Sequence, residues 1–394
     1  DVTGQSRASA AERRLAQRRH PSQRDGVKAA TPPPLAYYLI AGVVLVLTML
    51  GLVMVFAATS IAQLHKGNSP WRIFNRQFMW AICGGIGLWV ALSTPMRKWR
   101  RFVRPALLGS YVLALLPFVP SIGNRVNSAS SWVAISGFSF QPSEFVKLAV
   151  LLAAADLLAH RHREMHDPAR TLIPVLAMAV VAMGLLVFQG DLGSAIVIAG
   201  IVFSMVFIAG APLVPVAALG GLGGALMLAF AMSSPRRAAR FSAFLDIAGH
   251  KDTIAYQTWQ AMIGMANGGF TGSGVGGGSN MLGGFLPLAQ SDFIFAVIAE
   301  ELGLIGVIAV LGGFVVLAFG GVQAALATPD HFHRMVAGGI VGWLMVQTII
   351  NVGGVTGLMP VTGLTLPFFS AGGSSLFVTL VASGLLLNVA RNVR

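Results

Sequence analysis

One repeated feature leaves few folds open to this chain: stretches of about 20 apolar residues, each long enough to cross a bilayer core as a helix. Ten spans can be read, at 36–59, 77–95, 103–120, 143–160, 171–188, 192–210, 213–232, 291–321, 334–352 and 371–390. Hydrophobic residues make up 55% of the 394 positions, charged residues only 10%, and the mean hydropathy is +0.74. Soluble globular domains do not have that balance. The expected fold is all-α, a polytopic membrane protein of ten transmembrane helices. The eighth stretch is too long for one straight crossing, so it tilts or begins outside the core.

Charge decides orientation. A formal net charge of +13 could suit nucleic acid, but the basic residues gather at span ends and in the N-terminal segment, as topology signals and headgroup contacts do. A nucleic-acid partner is rejected on that distribution. Residues 1–34 carry Arg13, Arg14, Arg18, Arg19, Arg24 and Lys28 among Ala, Ser and Gln, the composition of a disordered cytoplasmic tail. They end in Thr31-Pro-Pro-Pro34 and hold no cleavable signal-peptide pattern. With the tail inside, the loop between spans two and three carries Arg97, Lys98, Arg100, Arg101 and Arg104. The loop between spans four and five carries Arg161, Arg163 and Arg170, and Arg391 and Arg394 follow the last span on the same side. An even span count then puts both termini in the cytoplasm. Residues 35–394 read as one transmembrane domain. Its loops rich in Gly, Pro, Ser, Asn and Gln, at 121–142, 189–191, 233–290 and 353–370, all fall outside. The lone cysteine, Cys83, lies inside a span, which excludes a disulfide framework and a thiolate metal site.

The outer loops hold the residues with chemistry in them. Asp292 sits where the long 233–290 loop meets span eight. A carboxylate costs roughly 2.5–3.5 kcal/mol at full bilayer depth, so its presence needs a reason. Two are open: Ser291 and Asp292 both suit a helix N-cap, or the carboxylate is a base. The glycine-rich run from Gly268 to Asn280 cannot form a regular helix, and Thr258–Ala266 has the look of a short interfacial amphipathic helix. In Gln141-Pro-Ser143-Glu144-Phe-Val-Lys147, Pro and Ser are helix-start signals, and Glu144 and Lys147 share a face at i, i+3. They form a structural ion pair, or Glu144 holds Lys147 toward an anionic phosphate. Asp191, in the turn Gln189-Gly-Asp191, caps span six or adds a second carboxylate to an outer cleft, for a divalent cation or a positive side chain. Arg236, Arg237 and Arg240 lie outside against the positive-inside trend, and guanidinium forks match diphosphate. The run Asn351–Ser375, apolar yet full of Gly and Pro, should be re-entrant or line a cavity. Its Gly372-Gly373-Ser374-Ser375 end offers an anion nest. No Walker loop, Rossmann fingerprint or His-rich metal motif is present. His331 and His333 read as solvated side chains rather than ligands.

Several of these blocks, taken in order, resemble the SEDS family (shape, elongation, division and sporulation) of peptidoglycan glycosyltransferases typified by FtsW and RodA. The resemblance runs from residue 36 onward. It rests on Phe140-Gln-Pro-Ser-Glu144 with Lys147, Asp191-Leu-Gly193, Tyr256-Gln257 with Gln260, Gly268-Gly269, Asp292-Phe-Ile-Phe295, Glu300-Glu301-Leu-Gly303 and Gly363-Leu-Thr-Leu-Pro367 through Ser375. The Gly-Leu-Thr-Leu-Pro wording is closer to the division-type branch.

The resemblance implies polymerisation of lipid II, a disaccharide-pentapeptide on undecaprenyl diphosphate, into a growing glycan strand on the outer face of the cytoplasmic membrane. Asp292 would be the general base and undecaprenyl diphosphate the leaving group. Glu144, Lys147, Arg237, Arg240, Gln257, Gln260, Ser370 and Gly372–Ser375 would contact substrate, with Gln141, Ser143, Asp191, Glu300, Glu301 and Asn351 in support. A divalent cation, Mg²⁺ or Mn²⁺, is compatible with the diphosphate. A single-span class B penicillin-binding protein would supply crosslinking, with other divisome membrane proteins as partners. The chain also departs from the family wording. It reads Gln290-Ser291 where the family has His-Thr before the aspartate, and Asn127-Ser-Ala-Ser-Ser131-Trp132 lacks a basic residue for which Arg125 could substitute. Met281-Leu282 stand near an expected Gln-Lys pair, Gly190 replaces Pro, and Ala371 replaces Tyr. Two other readings stay open: a transporter of lipid-linked precursor, kept alive by Glu300 and Glu301, and a non-catalytic division scaffold.

Overall fold

The structure is a computed structural model. It describes residues 34–393 except 120–122, 127–128, 136–137, 165–167, 279–285 and most of 212–234. The N-terminal segment 1–33 and most of the seventh span lie outside the described residues, as do the side chains of Arg125, Arg236 and Arg237.

The apolar runs fold as helices: α1 Leu35–His65, α2 Arg72–Ser93, α3 Met96–Leu115, α4 Pro142–His160, α5 Pro168–Phe188 and α6 Leu192–Ile208. Two shorter helices follow, α7 Pro235–Leu245 and α8 Tyr256–Gly268, then α9 Ile294–Ala327, α10 His331–Val355 and α11 Gly373–Arg391. Six of them are long and apolar enough to cross a membrane by length and composition. Of the others, α6 has 17 residues, α2 carries Arg72 and Arg76 in its first turns, and α4 carries Glu144, Lys147 and Asp156. α8 is the short helix expected around Thr258–Ala266, and it packs on α9.

The interior is built on α4, α10 and α11. α11 packs along α2 and α10, while α10 packs on α4, α6 and α9. Gly338, Gly339 and Gly342 of α10 lie directly against Ile208, Met205 and Ser204 of α6, the small-residue contact by which membrane helices approach closely. At the far end of α11 the buried Asn388 donates to the carbonyls of Ala91, Leu92 and Thr94 at 2.9, 2.9 and 2.7 Å, satisfying the C-terminus of α2.

Two features were not expected. Between α3 and α4 the outer loop forms a three-stranded antiparallel meander, β1 Gly123–Val126, β2 Ala129–Ile135 and β3 Phe138–Phe140, with Asn124 opposite Trp132 and Ala134 opposite Ser139. α9, moreover, is not one rod: Gly303 breaks it at φ 64°, ψ −164°. The glycine-rich loop repairs the break. Ser273 and Gly274 donate to the carbonyls of Glu300 and Glu301, and Leu304 and Ile305 donate back to Gly269 and Phe270, all within 3.2 Å. Broken backbone in apolar surroundings persists only with such substitute partners. Gly303 and Gly272, both at positive φ, are in direct backbone contact, and a Cβ on Gly303 would lie 2.4 Å from the Gly272 nitrogen.

Gly303→Ala should therefore lower stability by on the order of 1–3 kcal/mol, read as a drop in thermal unfolding temperature in detergent. Gly312→Ala, in the same helix with no atom near its added carbon, should not fall with it.

Candidate functional site

A cavity of about 1000 Å³ opens at the end of the bundle where Asp292 lies. Its walls come from α2 (Arg76, Gln77, Trp80), the meander (Ser131, Trp132, Ser139), the α5–α6 turn (Asp191) and α7 (Arg240). α8 adds Gln257 and Thr258, and the segment leading into α11 adds Val361–Gly363, Thr365 and Ala371–Gly373.

Asp292 does not cap its helix. α9 starts at Ile294 with Phe293 at the N-cap, so the carboxylate is left to the cavity wall. The turn that carries it is tied at three points. Asn351 donates to the Asp292 carbonyl at 2.9 Å and to Leu364 at 2.7 Å. Ser370 accepts from the Leu366 N–H at 2.7 Å and donates to the Ser291 carbonyl at 2.5 Å, while the Ala371 N–H reaches the Gln290 carbonyl at 2.7 Å. Gln77 of α2 closes the arrangement by donating to the Ser370 carbonyl at 3.0 Å. Burial beneath these segments pushes the Asp292 carboxyl up to about 6; Ser291 and Arg240 pull it down and the charge on Asp191 adds to the rise.

Asp191 does cap. It accepts from the Ser194 N–H at 3.0 Å at the start of α6 and from the Gln141 side-chain amide at 2.7 Å, and it also faces the cavity. One side chain thus caps α6 and stands on the cavity wall. Ser143, expected as a cap, is instead inside α4 and accepts from the Ser194 hydroxyl at 3.2 Å, because Gln141 occupies the N-cap.

Lys147 departs most from a substrate-binding role. It is fully buried, 2.8 Å from Glu144, 3.0 Å from the Gln347 side-chain oxygen and over the Trp343 ring at 5.4 Å. Gln347 also takes the Trp343 N–H at 2.8 Å and donates to Thr365, whose hydroxyl meets Ser375 at 2.8 Å. The ion pair thus lies under the cavity floor, and only Thr365 of this chain of contacts faces the open space. Two of its three donors are taken, and its complete burial keeps the ammonium away from a phosphate in the cavity. Ser374 is likewise internal, accepting from the Gln141 N–H at 3.1 Å, so the expected nest contributes Gly372 and Gly373 alone to the wall.

Glu300 and Glu301 are buried at the α9 break and do not line the cavity; Gln260, Ser143, Ser370 and Asn351 do not line it either. Arg240 does, whereas Arg237 falls outside the described side chains. Arg76, Gln77 and Trp80 are wall residues that sequence reasoning missed, whereas Thr365 falls in the run expected to line a cavity and Trp132 in the 127–132 block of the resemblance. Arg76 donates to Ser139 of β3, which sets a guanidinium on the cavity wall it shares with Ser131 and Trp132. On the opposite end of the bundle His331, partly exposed to solvent, also stacks on His162 at 4.0 Å. Among the described residues no three His, Cys, Asp or Glu side chains gather as a metal site.

Comparison with known proteins follows this geometry. The sequence profile for FtsW, RodA and SpoVE, described as cell cycle protein, matches residues 37–394. The chain belongs to that family. A probable peptidoglycan glycosyltransferase FtsW of Geobacter metallireducens is 37% identical over 348 residues, covering 88% of this chain and 92% of the relative. Stage V sporulation protein E of Bacillus subtilis is 35% identical over 356 residues, covering 90% and 97%. Among solved structures, a chain from work on structural coordination of polymerization and crosslinking by a peptidoglycan synthase complex aligns with TM-score 0.73 at 30% identity, covering 90% of this chain and 97% of that one. Rod shape determining protein RodA of Thermus thermophilus aligns with TM-score 0.66 at 29% identity, covering 90% and 96%.

Within the family architecture the Glu144–Lys147 pair is a matter of folding, and a double-variant cycle should say so. Lys147→Met leaves a bare buried carboxylate and should cost about 3–5 kcal/mol. Adding Glu144→Gln should restore much of the loss, measured by chemical or thermal unfolding in detergent.

Proposed function

We propose that this multi-pass membrane protein is a peptidoglycan glycosyltransferase whose base is Asp292, acting on lipid II at the outer face of the bacterial cytoplasmic membrane. The observation that carries the reading is a carboxyl raised to about 6, still anionic at neutral pH, held on a strapped turn at the wall of a cavity large enough for sugar. Asp292 takes the proton from the C4 hydroxyl of the acceptor GlcNAc. That oxygen attacks the anomeric carbon of the donor MurNAc from the face opposite its diphosphate. The carbon–oxygen bond to diphosphate breaks as the new glycosidic bond forms, and the configuration inverts. The leaving group departs with the electron pair and needs positive partners. Arg240, already within electrostatic reach of Asp292, and Arg76 are the cavity-facing guanidiniums available. Gln257, Thr258, Trp132 and the Gly372-Gly373 backbone offer the remaining surface for sugar and phosphate.

The cavity wall suits a hard cation. Asp292 and Asp191 are its two carboxylates among the described residues, both oxygen donors of the kind Mg²⁺ or Mn²⁺ prefers. Asp191 is the residue that would hold such an ion, leaving Asp292 free as the base, and the ion would neutralise charge building on the diphosphate. Relatives named FtsW, and a solved relative from a complex that coordinates polymerization and crosslinking, support a septal role and a class B penicillin-binding protein as partner, with other divisome proteins around them.

One observation favours a second reading. α9 is broken beside two buried glutamates, Glu300 and Glu301, and discontinuous helices are a habit of transporters. Purified protein with lipid II, with and without the penicillin-binding partner, separates the two: polymer supports the transferase, lipid scrambling without polymer the transporter. The Asp292→Asn variant should make no detectable glycan. Polymerisation undiminished in that variant would remove Asp292 as the base.

The pH profile gives a separate check. The base must be ionised, so kcat/KM should fall about tenfold per pH unit below a midpoint near 6. Arg240 lowers the Asp292 pKa, so Arg240→Gln should move that acid limb to higher pH.

A further inference from the structure

α3 carries four arginines within two turns, and they go to two places. Arg100 turns inward: it pairs with Asp156 of α4 at 2.6 Å and lies over the Phe332 ring of α10 at 5.3 Å. Arg97, Arg101 and Arg104 are exposed. They recur at i, i+4 and i+7, one turn apart on the other face, where like charges repel. The ion pairs among the described residues, Arg100–Asp156, Lys147–Glu144 and His160–Asp156, include none of the three. Among the described residues, none supplies them a counter-charge.

The stripe continues beyond the arginines. Leu108, Val112 and Leu115 follow at i+11, i+15 and i+18, with side chains 65%, 63% and 49% exposed. At about 100° per residue, all six positions fall within roughly 80° of arc. The three guanidiniums span about 10 Å of helix, and the apolar part from Arg104 to Leu115 spans about 16 Å, close to one leaflet of a roughly 30 Å core. Cations followed in line by one leaflet's depth of uncovered aliphatic surface match a headgroup and its acyl chain. A soluble anion would use only the first half, and an acidic peptide would leave the second half uncovered.

We propose that this stripe is a binding site for an anionic glycerophospholipid of the leaflet at the basic end of α3. Arg97, Arg101 and Arg104 hold the phosphate headgroup, and one acyl chain lies along Leu108, Val112 and Leu115. Retention is electrostatic at one end and apolar at the other.

The test uses the full chain in vesicles of equal phosphatidylglycerol and phosphatidylcholine, extracted gently, with retained lipid counted by mass spectrometry. Wild type should retain phosphatidylglycerol at least fivefold over phosphatidylcholine. The triple variant Arg97→Gln, Arg101→Gln, Arg104→Gln should lose that preference. The matching triple change to Lys keeps the charge and should keep most of it, which separates loss of the site from loss of the fold. Equal retention of the two lipids by wild type, undiminished preference in the Gln variant, or loss in a folded Lys variant would each overturn the proposal. So would displacement of the bound lipid by millimolar inorganic phosphate alone, which would assign the stripe to a soluble anion.

Discussion

Every polar backbone group taken out of a helix inside an apolar body must find another partner, and the site is organised by that demand. The segment between α10 and α11 has no regular structure, yet Leu364, Leu366, Phe368 and Phe369 within it are buried. Its carbonyls and N–H groups are met by side chains: Asn351, Gln347, Ser370 and Gln77 each bond to main chain across elements. Three of those four residues stand on helices, so the irregular segment inherits their rigidity. Asp292 is held by the same bonds, and its position follows from the way the backbone is satisfied.

Charge is sorted by the same logic. The Glu144–Lys147 pair is enclosed with Gln347 and Trp343 below the floor, where an unpaired member would be costly. Asp191, Asp292, Arg76 and Arg240 stand on the wall, where solvent or substrate can reach them. Two acids and two bases share one space. Burial raises the Asp292 carboxyl, while the Ser291 hydrogen bond and then Arg240 pull it back, so one environment yields a carboxylate basic enough to accept a proton and ionised at neutral pH.

Much of the helical frame is legible in the chain because polar-to-apolar transitions are sharp. The readings 143–160 and 192–210 lie close to Pro142–His160 and Leu192–Ile208. Asp292, Asp191 and Arg240 stand out because carboxylates and external arginines are expensive near a bilayer. Other parts leave no local trace. The meander strands are three to seven residues long and interrupted by Ser130, Ser131 and Ser139, so they read as loop. Gly303 is one glycine in an apolar helix, where glycine is ordinary. Spacing puts Glu144 and Lys147 on one face but cannot say whether that face looks into a cavity or into α10. Arg76 and Gln77 stand at the edge of a lipid-facing run, and only the fold turns them toward Ser139 and Ser370.

The discontinuity at Gly303 divides α9 mechanically. Residues 294–302 follow the turn bearing Asp292 and are bonded to the glycine loop, and Leu304 and Ile305, at the head of the 304–327 shaft, are bonded to the same loop. A straight rod of 34 residues would transmit any tilt of its immersed part directly to its tip. With the loop clamped to both sides of the break, the bend is held in place, and the tip beside the aspartate takes its direction from that loop rather than from the run of the shaft.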